Sequence, residues 1–130
     1  MKKATKNWIA TSDYDLETAE SLLSAKRKIY VIFMCHLSIE KLLKAVFTEK
    51  RGKMPPYTHD LIYLAELCGI TLPGRLRNFM ELINDKSVPT RYLEDISALN
   101  KQFSLNQTRI YLRKTRVLIR WLKQNLLQVK

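Results

Sequence analysis

Residues 29–51, IYVIFMCHLSIEKLLKAVFTEKR, decide how the chain folds. The first eleven, Ile29 to Ile39, are apolar apart from His36, Ser38 and the hydroxyl of Tyr30. As a helix they are apolar on every side, the mark of an element buried against several neighbours at once. From Glu40 onward the pattern becomes two-sided. Leu42, Leu43, Val46 and Phe47 hold one side, while Glu40, Lys41, Lys44 and Thr48 take the other. A β-strand is the competing reading of the opening Ile-Tyr-Val-Ile-Phe, because a short apolar run is ambiguous by periodicity. Length decides for one long helix: no Gly or Pro interrupts the run before Gly52, which is a natural stop.

Outward from this helix the chain reads as helical throughout. Trp8, Leu16, Ala19, Leu22 and Leu23 give residues 5–26 an apolar side, and Lys26, Arg27 and Lys28 close that helix with cations. Pro55-Pro56 enforces a loop. Thr58 is the expected N-cap of a short helix over residues 59–68, with Asp60 in its first turn and Gly69 beyond its end. Pro73 suits the start of a helix over residues 76–84, residues 86–89 break it, and residues 90–102 carry the weakest pattern. Ser104 caps a last helix over residues 105–127. The expectation is one all-α domain over residues 1–130, an up-and-down bundle of four or five helices.

Composition narrows the function classes. The 130 residues are 46% hydrophobic with three Gly and four Pro, which fits a packed globule rather than a disordered chain. No apolar run is long enough to span a membrane, and the basic start, Met-Lys-Lys-Ala-Thr-Lys, is followed by no apolar signal core; a cytoplasmic protein is expected. Cys35 and Cys68 lack metal-ligand or redox spacing and read as buried free thiols. The formal net charge is +11, and no acidic residue follows Asp95. So basic a chain favours polyanions such as nucleic acid, nucleotides or an acidic protein face.

The last helix carries the clearest charge pattern. Arg109, Arg113, Arg116, Arg120 and Lys123 recur at alternating spacings of four and three, so they line one stripe. That stripe either tracks phosphates at one contact per turn or is the solvated back of a packed helix. The apolar residues Ile110, Tyr111, Val117, Leu118, Ile119, Trp121, Leu122 and Leu126 span more of the circumference than a monomer needs, which points to pairing with a second copy.

Three motifs bear on family. Residues 35–45, Cys-His-Leu-Ser-Ile-Glu-Lys-Leu-Leu-Lys-Ala, resemble the CHxxxEKxLKA core of HEPN-domain proteins. Thr58-His59-Asp60-Leu61 resembles that family's THDL helix start, and Thr90-Arg91-Tyr92 its xRYP segment, departing at Leu93. The resemblance implies a helical bundle, usually dimeric, from a bacterium or archaeon. It also implies nucleotide or RNA binding beside a minimal nucleotidyltransferase, as in toxin–antitoxin-like pairs. Ribonuclease branches of the family carry Arg, four to six residues, then His. This chain has only His36 and His59, and Arg51 precedes His59 by seven intervening residues, so that motif is absent.

The polar residues admit two readings. His36, Glu40 and Lys44 are four apart and share a helix side beside Lys41. His59 and Asp60 open a helix whose free N–H groups attract an anion, and Arg91 and Tyr92 offer a guanidinium and a ring. Gathered together they form a nucleotide or RNA-phosphate pocket. Taken separately, His36 is a core histidine, Glu40–Lys44 an ordinary helix pair, and Arg91 a bond to a helix end. With no Gly-rich phosphate loop and no paired-carboxylate site, neither cofactor nor metal is expected. The leading expectation is a binding module with a nucleotidyltransferase partner. The alternatives are a metal-independent ribonuclease using His59 and Arg91, and a purely structural partner.

Overall fold

The computed structural model describes residues 1–86 and 96–129. Its elements are α1 (Lys3–Ser24), α2 (Lys28–Arg51), α3 (Leu61–Leu67), α4 (Gly74–Lys86), α5 (Ile96–Lys101) and α6 (Leu105–Leu122); a π-helical turn, Lys123–Leu127, follows α6. Among the described residues there is no strand, so the fold is all-α, as the sequence implies.

Bonds at the helix ends give the direction of each element. Thr5 of α1 reaches Glu49 near the end of α2, while Ser12 meets Ser38 further up, so the two helices are antiparallel. Glu20 and Asp13 of α1 pair with Arg116 and Lys123, which sets α6 antiparallel to α1 and parallel to α2. Asn84, near the end of α4, meets Asp60 at the start of α3. Helices α1, α2, α4 and α6 therefore form the up-and-down bundle. Short α3 departs from the alternation. The loop after Gly52 runs back along α2, and α3 then follows α2 in the same sense, from His36 at its start to Lys50 and Arg51 at its end.

α2 is the central element. Val31, Cys35, Ile39, Leu42, Leu43 and Val46 are fully buried, packed in one core with Leu61, Leu64, Met80, Ile83, Leu112, Leu118 and Leu122. The two-sided pattern expected from Glu40 onward does not hold. Glu40, Lys44 and Thr48 are buried as well, because α1 and the 52–60 loop cover the side read as solvent-facing. Gly52 ends the helix at φ +66°, a left-handed conformation that costs glycine nothing, and donates its N–H to Thr48. Burial pushes the Cys35 thiol up to about 12, so this cysteine is inert packing.

Other boundaries moved for local reasons. Asp60, not Thr58, caps α3; its carboxylate accepts from the N–H groups of Ile62 and Tyr63, while the Thr58 hydroxyl accepts from Asp60 itself. Ser104 caps α6 as expected and forms a full capping box with Gln107. The last helix leaves α geometry at Lys123, and its final turn is π-helical. No described helix is long and apolar enough to cross a membrane.

Candidate functional site

Three of the singled-out residues converge on the buried carboxylate of a fourth. Glu40 of α2 is 1% exposed, and both of its oxygens are engaged. Oε1 accepts from His59 Nδ1 at 2.8 Å, and Oε2 accepts from Lys44 Nζ at 3.0 Å. His36, one turn earlier, places Nε2 3.8 Å from Oε1 and donates it to the His59 carbonyl at 2.7 Å. The i, i+4, i+8 spacing puts His36, Glu40 and Lys44 on one side of α2, and the Pro-Pro loop brings His59 back over them. Lys44 Nζ also stands over the Trp8 ring, 5.7 Å from its centroid, so α1 closes the cluster from the other flank.

Acceptor chemistry fixes both tautomers. A carbonyl can only accept, so His36 carries its proton on Nε2; a carboxylate can only accept, so His59 carries its proton on Nδ1. Neutral His59 therefore keeps an unprotonated Nε2 on a side chain that is 41% exposed. A buried carboxylate orienting a solvent-facing imidazole is the arrangement of a general base and its positioning partner. His36 plays a different part. Burial holds its pKa below the usual 6.5, against the weaker opposing pull of the His59 carbonyl and Glu40, so it stays a neutral core donor.

The remaining candidates lie elsewhere. Lys41 pairs with Asp15 of α1 at 3.3 Å. The N–H groups at the start of α3 are taken by Asp60 and by Asn84, whose Oδ1 accepts from Leu61, so the chain itself occupies the expected anion position. Arg91 and Tyr92 fall outside the described residues. Among the described residues no group of His, Cys, Asp and Glu is arranged to hold a metal.

α6 forms a separate basic face, and its stripe is split. Arg116 and Lys123 lean onto α1 and pair with Glu20 at 2.8 Å and Asp13 at 2.6 Å. Arg109, Arg113 and Arg120 are exposed, as is Lys114, and none has an acidic partner among the described residues. Beside Arg113 and Lys114, α4 and α6 bound a groove of about 480 Å³ that the sequence reading missed. Its signal was faint: Leu82 and Val117 look like ordinary helix residues until the fold leaves them 39% and 46% exposed.

Comparison with known proteins agrees with this architecture. The HEPN domain family model matches residues 5–125. The crystal structure of TT1696 from Thermus thermophilus superposes with a TM-score of 0.77 at 16% identity, covering 95% of this chain and 98% of that one. ST0689, described as an archaeal HEPN homologue, gives 0.73 at 19% identity, covering 97% and 99%. At these identities the two structures speak to fold alone. No curated protein sequence matches.

Proposed function

The chain belongs to the HEPN domain family, and from that premise we propose that it is a nucleotide- or RNA-binding module. In this reading it is a single cytoplasmic domain that forms a homodimer and acts with a small nucleotidyltransferase in a toxin–antitoxin-like pair. The observation that carries the reading is the outer half of the α6 stripe: Arg109, Arg113 and Arg120 are exposed and free of acidic partners among the described residues. α1 neutralises the inner half, so the free cations form a narrow track one phosphate wide. Homodimerisation is checked by sedimentation velocity, where a monomer at micromolar concentration would remove that part of the proposal.

Each phosphate contact releases counterions, so binding must weaken steeply with salt. Arg109→Glu with Arg120→Glu should therefore lower affinity for a labelled single-stranded RNA at least about tenfold and flatten the salt dependence, with helicity unchanged. Filter retention at two salt concentrations measures both. Unaltered affinity in the double variant rules out the track.

A second reading, a metal-independent ribonuclease, is favoured by the Glu40–His59 arrangement. His59 Nε2 is free to take a 2′-hydroxyl proton, and Glu40 would steady the imidazolium that forms. The cation this reading needs, Arg91, lies outside the described residues. The same RNA on a denaturing gel in EDTA separates the readings: cleavage that vanishes in His59→Ala makes the protein a nuclease, and intact, retained RNA keeps it a binding module.

A further inference from the structure

The groove between α4 and α6 has an apolar floor and a cationic rim. Leu76, Leu82 and Val117 line its base, and Arg75, Arg113 and Lys114 stand around it. The acid on the adjoining turn of α4, Glu81, is already engaged by Arg77 at 2.8 Å, and among the described residues no acidic side chain lines the groove. From Leu76 to Leu82 the floor runs about 9 Å along α4, more than one helical turn. A surface of this kind takes an apolar stripe flanked by negative charge.

We propose that the α4–α6 groove docks an amphipathic helix of another protein, one that presents Leu- or Phe-type side chains with Asp and Glu alongside. Three observations select that occupant. Every charged residue that lines the groove is positive, with Asn78 the one neutral polar member, so twofold pairing of two copies through it would set Arg75, Arg113 and Lys114 against their own kind. The floor offers no ring face for an unpaired base: Phe79 is 4% exposed and its ring is met edge-on by Tyr111 at 5.8 Å. Leu82 and Val117, both exposed, are the anchors an i, i+3/i+4 stripe would cover. The groove shares Arg113 with the phosphate track, whereas Arg109 and Arg120 do not line it.

The test is fluorescence anisotropy with a labelled synthetic peptide about four turns long, with Leu at helical spacing and Glu on both flanks. Two controls share its length: a charge-inverted peptide with Lys for Glu, and a shuffled peptide of identical composition. The acidic amphipathic peptide should saturate, with each control at least tenfold weaker. Leu82→Gln with Val117→Gln, which adds no charge beside Arg113 and Arg120, should lower its affinity at least tenfold while leaving the unfolding midpoint and RNA retention unchanged. If that variant folds poorly, Arg75→Glu with Lys114→Glu should give the same loss. Equal binding by the shuffled peptide, absence of saturable binding, or indifference to both variants overturns the proposal. Loss of RNA retention in Leu82→Gln/Val117→Gln also overturns it, because the groove would then serve nucleic acid.

Discussion

Glu40→Ala is expected to cost about 3 kcal/mol of folding stability. Removing one partner of a buried ion pair typically costs about 3–5 kcal/mol, because the other charge is left in a low-dielectric site without compensation. Here the stranded groups are Lys44, 8% exposed and bonded to Oε2, and the Nδ1–H of His59. The lower end of the range applies because His59 is 41% exposed and can turn to water. His59→Ala, which leaves the Glu40–Lys44 pair intact, should cost about 1.5 kcal/mol, the low end for a hydrogen bond to a charged group because His59 is partly exposed. Replacing the pair by apolar side chains of similar volume, Glu40→Leu with Lys44→Met, should recover most of the loss. Urea unfolding followed by circular dichroism measures all three. A loss below about 1 kcal/mol in Glu40→Ala would show that Lys44 escapes to solvent and that the carboxylate is not tightly held.

The same cluster shows what was legible in the sequence. Uninterrupted length and the stop at Gly52 were enough to identify α2 as the central helix, because both are local properties. The fate of its polar side was not local. Glu40, Lys44 and Thr48 read as solvent-facing because nothing within one turn covers them; their cover comes from Trp8 on α1 and from the returning 52–60 loop. The motif resemblance singled out His36, Glu40, Lys44 and His59, yet only the fold shows that one carboxylate holds two of them and stands beside the third. The α6 stripe was legible as a periodicity. Its division was not, since Glu20 and Asp13 lie some hundred residues away in sequence. Asp60 took the cap from Thr58 because its carboxylate reaches two N–H groups, a choice that two adjacent capping residues leave open.

α1 hid its most constrained line for a different reason. The residues it buries are Thr5, Ser12 and Ala19, seven apart and therefore on one line along the helix, while the larger apolar residues Trp8, Leu16 and Leu23 flank that line half-buried. A hydropathy pattern favours the flanks and overlooks the line, because hydroxyl residues do not score as apolar. The line is small because α1 and α2 approach closely there. Ser12 Oγ donates to the Ser38 carbonyl at 2.7 Å, Ser38 Oγ donates to the Ser12 carbonyl at 2.9 Å, and the two hydroxyls lie 3.1 Å apart.

Ser12→Leu is therefore expected to cost at least about 3 kcal/mol, on a par with breaking the Glu40 site. Two penalties add. Forcing extra carbon into a closed helix contact costs about 1–3 kcal/mol, and parting the helices strands the buried Ser38 hydroxyl for about 1–3 kcal/mol more. Ser12→Ala separates them: the contact stays closed, one reciprocal bond is lost, and the cost falls to about 1 kcal/mol. Ser12→Ala with Ser38→Ala should cost close to the sum of the two single changes, because each hydroxyl donates to the other residue's backbone carbonyl, which substitution leaves in place, and only the 3.1 Å contact between the hydroxyls couples them. Unfolding midpoints of the four variants, compared at constant denaturant slope, complete the cycle. Ser12→Leu within about 1 kcal/mol of the parent would show that α1 can shift along α2, and the close approach at Ser38 would then be dispensable to the fold.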